Sequence, residues 1–181
     1  MAMDEIVVGV DGSGGSDKAL DWALAEAERR GSPLRVVHVF SLGRVRPGGR
    51  LPADVEIRSR AEDLAQRSVT GAIERLGRLP TVEVRIEATP IRSRGPAAVL
   101  ADYSRRADLL VVGSRGFGGF DALLVGSVSE QLVQHSRCPV AVIPGTPRLI
   151  GEAGARRAAT PAGEGIEHMA GAAPVDTLQT V

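Results

Sequence analysis

Residues 109–132 have the sequence LLVVGSRGFGGFDALLVGSVSEQL. The apolar run 109–112 predicts a buried strand that ends at Gly113, and a helix is predicted to begin at Gly126 and Ser127. The connection between them is rich in glycine, which lets a ligand approach the backbone closely. A helix start presents N–H groups without intrahelical acceptors and the positive end of the helix dipole. A strand, a glycine loop and a helix start in this order predict a phosphate cradle.

The same residues also fit a fold that needs no ligand. Gly113 would then serve only to end the strand, and Ser127 with Glu130 has the spacing of a capping box. The residues alone leave the phosphate cradle and the simple strand end as open alternatives.

Short apolar runs alternate with longer helical patterns along the rest of the chain. Strands are predicted at 5–10, 34–40, 81–88, 109–112 and 139–143, and helices at 16–30, 55–76, 96–105 and 126–136. The strand at 81–88 alternates apolar and polar residues, which is typical of a half-exposed edge strand. Five strands with intervening helices predict an α/β fold, a Rossmann-like, doubly wound open parallel sheet with helices on both faces.

The composition fits one globular domain with an additional segment. Of the 181 residues, 43% are hydrophobic, and the single cysteine excludes an intramolecular disulfide. Lys+Arg and Asp+Glu both number 22, so no overall positive field would attract nucleic acid. No apolar stretch has the length of a membrane span and the N-terminus lacks a basic signal-peptide start, so we expect a cytoplasmic protein without a membrane partner. Residues 146–181, rich in Gly, Ala, Pro and Thr, are predicted to be a disordered tail.

Asp11 is the candidate polar group at the end of the first strand. Ligands of an open parallel sheet bind outside the carboxyl ends of the strands, near the point where the strand order reverses. There the Asp11 carboxylate would accept hydrogen bonds from a ribose or hold a magnesium ion bound to phosphate. The alternative is an Asx turn, because Asp-Gly is a common turn pair.

The spacing Gly113-x2-Gly116-x9-Gly126-Ser127 resembles the nucleotide-binding signature of the ATP-binding branch of the universal stress protein family. The resemblance extends over about residues 4–144 and includes VGVDGS, ADLLVVGSRG, VGSVSEQL and CPVAVIP. It implies the strand order 3-2-1-4-5 and a domain, residues 1–145, that binds ATP together with Mg²⁺. It also implies a homodimer that pairs through the fifth strand. The implied activity is stress-response regulation or signalling with at most slow ATP hydrolysis, and no catalytic residue is assigned.

The resemblance implies roles for residues at each strand end. Asp11, with the neighbouring Val10, belongs to the ribose or phosphate region, and the backbone of Val39 meets the adenine edge. Val112 and Gly113 line the base and ribose. The residues implied to surround the phosphates are Arg115, Gly116, Gly126, Ser127, Val128 and Ser129. The hydroxyl groups of the two serines would bind phosphate, and N–H groups of the helix start would supply further bonds.

Arginines are frequent in the loops that follow the strands. They are Arg44, Arg46 and Arg50 after the second strand, Arg92 and Arg94 after the third, and Arg115 after the fourth. One hypothesis is a positive rim that attracts or covers the polyphosphate. The alternative is an ordinary solvated surface, since arginine is frequent throughout the chain.

Other functional classes fit less well or stay open. Residues 13–17 are similar to the SGGxDS loop of ATP pyrophosphatases, which adenylate their substrates, but Lys18 stands where that loop has a serine. No P-loop motif occurs in the chain, and no GxGxxG follows the first strand. A cyclic AMP or AMP sensor of the same fold and a nucleotide-free dimerisation module remain as alternatives.

Overall fold

The computed structural model describes residues 5–42, 54–91, 95–116 and 125–145. The described residues form five strands and four helices in strict alternation after the first strand, as the sequence predicts. Their bounds are β1 Ile6–Val10, α1 Gly14–Arg30, β2 Leu34–Ser41, α2 Asp54–Leu76, β3 Val84–Ile91, α3 Pro96–Tyr103, β4 Leu109–Gly113, α4 Ser127–His135 and β5 Val140–Ile143. The predicted tail, residues 146–181, lies outside the described residues.

The five strands form one parallel sheet in the order β3-β2-β1-β4-β5, which confirms the predicted fold and strand order. Successive side chains of β1 point to opposite faces. Ile6 and Val8 pack with α1 and α2 on one face, and Val7 packs with α3 and α4 on the other. Both faces of the central strands are therefore buried, which explains their nearly continuous apolar sequence.

The division of the helices between the two faces sets the position of the site. Because α1 and α2 lie on one face and α3 and α4 on the other, the strand order reverses between β1 and β4. The register of these two strands runs from Ile6 opposite Leu109 to Val8 opposite Val111. Ligands of such sheets bind at this switch point, beyond the carboxyl ends of the strands.

The third strand differs from its predicted bounds of 81–88. It begins at Val84 and ends at Ile91, because these eight residues pair in register with Leu34–Ser41 of β2. The Thr81 backbone N–H donates to a carboxylate oxygen of Glu28 on α1 at 2.9 Å, so this residue belongs to the connection. All eight residues of β3 are half-buried and the strand lies at the sheet edge, as its alternating sequence predicts.

The start of α1 also differs slightly from its prediction. The helix begins at Gly14 rather than Ser16, because Ser13 is the N-cap. The Ser13 hydroxyl accepts a hydrogen bond from the Ser16 N–H at 3.2 Å, as is typical of a serine at the N-cap. Within the described ranges, no helix has the length and apolar character needed to cross a membrane.

Candidate functional site

A cavity of about 160 Å³ lies at the carboxyl ends of β1, β2 and β4, at the switch point of the sheet. Its lining residues are Gly9, Val10, Asp11, Ser16, Val37, Val39, Pro96, Leu100, Val112, Gly113, Arg115, Gly116, Val128 and Ser129. A larger space of about 430 Å³ lies against α3 and α4 and contains none of the glycine-motif residues. We take the switch-point cavity as the candidate site because position in the fold, rather than size, distinguishes it.

The structure brings most of the predicted site residues together around this cavity. Nine of them line it: Val10, Asp11, Val39, Val112, Gly113, Arg115, Gly116, Val128 and Ser129. The other two, Gly126 and Ser127, do not line it. Gly126 is the N-cap of α4 instead, and its N–H donates to the Ser114 carbonyl at 2.7 Å.

Five lining residues were not predicted from the sequence. They are Gly9, Ser16, Val37, Pro96 and Leu100. Strand alternation offers a signal for one of them, because Val37 shares a face of β2 with Val39. A contact from α3 has no comparable signal, since it depends on how closely that helix approaches the sheet.

The floor of the cavity is apolar and close-packed. Val37, Val39, Leu100 and Val112 contribute aliphatic surface, and Gly9 lies among them. A β-carbon built on Gly9 would lie 2.9 Å from Leu100 Cδ1 and 3.3 Å from Val112 Cγ1. These residues therefore offer an apolar surface that suits a flat ring.

Asp11 forms the Asx turn that the sequence left as an alternative. Its Oδ1 accepts a hydrogen bond from the Ser13 N–H at 3.0 Å, and Gly12 between them has a φ of 82°. The other carboxylate oxygen lies beside Gly116, so closely that a β-carbon on Gly116 would collide with it. The turn therefore fixes the carboxylate between the start of α1 and the glycine loop. An Asx turn and a ligand contact are compatible, because a carboxylate accepts several hydrogen bonds.

The glycines of the motif provide close approach rather than unusual backbone angles. The described glycines with positive φ are Gly12, Gly31 and Gly77, none of which belongs to the motif. A β-carbon on Gly113 would lie 2.8 Å from the carbonyl carbon and oxygen of Gly15, at the start of α1. Gly113 is therefore required by the packing of α1 against β4.

The N-terminal turn of α4 lies beside the cavity. Val128 and Ser129 of this turn line the cavity, and their N–H groups have no acceptor within the helix. The capping box that the sequence offered as an alternative is absent, because Gly126 rather than Ser127 is the N-cap and no side chain caps the helix. The helix start thus keeps the N–H groups that suit an anion.

Ser129 uses its hydroxyl group for packing rather than for a ligand. The side chain is buried, and its Oγ donates to the Gly113 carbonyl at 2.7 Å. This bond fastens α4 to the end of β4. The implied donation of this hydroxyl to phosphate would require the bond to break, so the backbone N–H is the available donor at this position.

The cavity carries one residue of each charge. Among the described lining residues, Arg115 is the one cation and Asp11 the one anion. The other arginines of the hypothetical rim lie outside the described residues: Arg44, Arg46, Arg50, Arg92 and Arg94. In the part of the chain that the structure describes, no group of three or more His, Cys, Asp or Glu residues has the arrangement of a metal site.

The helix α3, which contributes Pro96 and Leu100, is fastened to the sheet by Tyr103. The Tyr103 hydroxyl donates to Glu87 Oε1 on β3 at 2.5 Å, and Thr89 Oγ1 lies 2.7 Å from the same hydroxyl. Burial, followed by the bond to Glu87, raises the pKa of Tyr103 to about 12. The hydroxyl therefore keeps the proton that it donates to Glu87 at physiological pH.

Comparison with known proteins gives the same family that the motif resembles. A family model described as the universal stress protein family matches residues 3–144. Universal stress protein Rv2624c of Mycobacterium tuberculosis is 34% identical over 142 residues, which cover 78% of this chain and 48% of that protein. The chain thus spans about half the length of the curated relatives it matches.

Two similar solved structures contain nucleotides. A universal stress protein of Archaeoglobus fulgidus in complex with dAMP has a TM-score of 0.50 at 25% identity, over 79% of this chain and 99% of that one. A universal stress protein in complex with cAMP has a TM-score of 0.56 at 21% identity, over 79% and 98%. At this level of identity the second likeness concerns the fold alone.

Proposed function

This chain belongs to the universal stress protein family, and we propose that it binds an adenine nucleotide in the switch-point cavity. One observation carries the proposal. Nine residues that the family resemblance implies, from β1, β2, β4, the glycine loop and α4, line a single cavity beside the N-terminal turn of a helix. We further propose that ATP is the preferred ligand and that binding regulates or signals in a stress response.

The distribution of chemistry in the cavity supports an orientation for the nucleotide. The apolar surface of Val39 and Val112 fits the base, and the Asp11 carboxylate beyond it fits ribose hydroxyls. Phosphates belong beside Arg115 and the first turn of α4, where a cation and unpaired N–H groups occur together.

Mg²⁺ would enter with the nucleotide rather than bind to a separate metal site. Magnesium prefers oxygen ligands and is usually held by phosphates with one or two carboxylates. The carboxylate of Asp11, which accepts a hydrogen bond from the Ser13 N–H and lies beside Gly116, would supply one such oxygen. When bound, the ion would neutralise phosphate charge.

We propose a regulatory module, with at most slow hydrolysis of ATP. Fast phosphoryl transfer needs a group that positions the attacking nucleophile, besides metal and charge stabilisation. Among the described lining residues, Asp11 is the one carboxylate, and it is engaged in its turn; no histidine lines the cavity.

A sensor of cyclic AMP or AMP is the second candidate. The ligands of the two similar structures, dAMP and cAMP, are both monophosphates. The engagement of the Ser129 hydroxyl with Gly113 also removes one donor that a triphosphate would use. Both features favour a ligand with fewer phosphates.

Calorimetric titration of the full chain, stripped of co-purified nucleotide, tests the proposal. ATP, ADP, AMP and cyclic AMP are compared, each with and without Mg²⁺, and GTP serves as the control for the base. Tightest binding of ATP supports the main proposal, and tightest binding of cyclic AMP or AMP supports the sensor. Absence of heat with all adenine nucleotides contradicts both and leaves a dimerisation module.

We also propose a homodimer that pairs through β5. This strand lies at the sheet edge next to β4, and its four residues are half-buried. An apolar edge strand is a template for pairing with another chain, and proteins usually cover or pair such edges. Light scattering at micromolar concentration should give the mass of two chains, and a monomer would contradict the proposal.

A further inference from the structure

His38 lies in β2, and its side chain reaches sideways to the end of β1. The ring nitrogen Nδ1 lies 2.9 Å from the backbone oxygen of Val10. A carbonyl oxygen only accepts hydrogen bonds, so Nδ1 carries a proton whether the ring is neutral or charged. The bond therefore selects one tautomer and ties β2 to the last residue of β1.

Val10 lies at the end of β1, where this strand pairs with β2 but no longer with β4. The register of β1 with β4 reaches only to Val8, opposite Val111. The register with β2 continues to Val10, which lies opposite His38. Among the described strands, the end of β1 is thus paired on the β2 side alone. The hydrogen bond from the His38 side chain adds a second connection between β1 and β2, besides the backbone pairing.

This tie acts at the edge of the cavity without lining it. Val10 and Asp11 line the cavity from β1, and Val37 and Val39, on either side of His38, line it from β2. The His38 ring lies on the opposite face of the sheet from these two valines because side chains alternate along a strand. The tie adds a restraint on the Val10–Asp11 peptide before a ligand binds, and a better-ordered site costs the ligand less affinity.

We infer that His38 is a positioning residue for the nucleotide site, which acts through the Val10 carbonyl to hold Val10 and Asp11 in place. The inference rests on the proposed function, because it requires a nucleotide in this cavity.

Two substitutions separate the hydrogen bond from the volume of the ring. His38→Asn keeps an N–H donor where Nδ1 stands, and His38→Leu keeps much of the volume without a donor. We expect His38→Leu to raise the Kd for MgATP or cyclic AMP roughly two- to tenfold, the effect of losing one hydrogen bond. Because His38→Asn keeps the donor, we expect its Kd to stay within about twofold of the wild-type Kd. Titrations are made at a temperature where thermal denaturation shows all three proteins folded.

An NMR measurement distinguishes a positioning role from a purely structural one. Long-range ¹H–¹⁵N spectra of the ring should show the proton on Nδ1, and its signal should shift when MgATP or cyclic AMP is added. If the chemical shift of Nδ1 does not change on addition of nucleotide and all three proteins bind with equal affinity, the inference is overturned. A neutral ring that carries its proton only on Nε2 would also overturn it. Failure of the wild type to bind any adenine nucleotide is a different result, because it overturns the proposed function and the inference with it.

Discussion

Alanine at Gly113 should mainly destabilise the fold, although this glycine belongs to the nucleotide-binding motif. The added β-carbon would lie 2.8 Å from the carbonyl carbon and oxygen of Gly15 and 3.2 Å from the Ser16 nitrogen. These are backbone atoms, and ordinary contacts between carbon atoms are about 3.5–4.0 Å, so the start of α1 would have to move by roughly 0.7 Å or more. Overpacking of this kind costs about 1–3 kcal/mol, and we expect the upper half of that range because a backbone cannot rotate away.

Alanine at Gly116 should mainly weaken nucleotide binding. The added β-carbon would collide with a carboxylate oxygen of Asp11, which can rotate away at the expense of its bond to the Ser13 N–H. The loss of one such bond costs about 0.5–1.5 kcal/mol of stability. The displaced carboxylate would leave the position proposed for the ribose, so we expect the nucleotide Kd to rise by about tenfold or more, the effect of one charge-assisted hydrogen bond.

The two variants are compared by thermal denaturation and by calorimetric titration at a temperature where both are folded. For a domain of this size 1 kcal/mol corresponds to about 4 °C, so Gly113→Ala should lower the Tm by roughly 8–12 °C and Gly116→Ala by roughly 2–6 °C. For nucleotide affinity we expect the opposite order, with a larger loss in Gly116→Ala than in Gly113→Ala. A wild-type Tm for Gly113→Ala would refute the packing of α1 against β4. Wild-type affinity for Gly116→Ala would refute the use of the Asp11 carboxylate in binding.

Two further predictions concern ion pairs away from the site. Arg35→Met should lower the free energy of unfolding by about 2–3 kcal/mol in chemical denaturation, because it removes a partner at 3.0 Å from the buried carboxylate of Glu5. The control Arg60→Met removes an exposed ion pair and should cost at most about 0.5 kcal/mol. Equal losses in the two variants would contradict the argument that burial makes the Glu5 pair the stronger one. The Arg78 guanidinium, followed by a backbone N–H, lowers the pKa of Glu28 from 4.5 to about 2. This contribution to stability is present above pH 4.5 and is lost as the pH falls towards 2, so Glu28→Gln should flatten the dependence of unfolding free energy on pH in that window; an unchanged slope would contradict it.

The elements of the sheet could be predicted from local sequence, because β1, β2, β4 and β5 are apolar runs and β3 alternates apolar and polar residues. Their order could not be derived from the runs themselves, since the pairing of β1 with β4 depends on the face that each helix covers; here the family resemblance supplied it. The wrong start of β3 has a similar cause. The alternating pattern extends back to Thr81, but the N–H of this residue donates to the carboxylate of Glu28, 53 positions away in the sequence, rather than to a neighbouring strand.

The site residues that the sequence predicts are those at strand ends and at glycines. Their position follows from a rule about parallel sheets, which needs no detailed coordinates. The roles of individual groups were less predictable. The Ser129 hydroxyl was expected to bind phosphate, yet it donates to the Gly113 carbonyl, a partner fixed only by the angle at which α4 meets β4.

An intact glycine motif is therefore weaker support for nucleotide binding than its spacing indicates. Gly113 would be needed in this fold even without a ligand, because the start of α1 occupies the space of its side chain. Gly116 differs, since the space beside it is taken by the carboxylate of Asp11, which the helix start does not require for its own cap. A close contact at the cavity between two residues that are far apart in sequence is a more specific indication of ligand binding than the glycine motif alone. The pair Asp11 and Gly116, rather than the motif as a whole, is where loss of nucleotide binding should separate from loss of the fold.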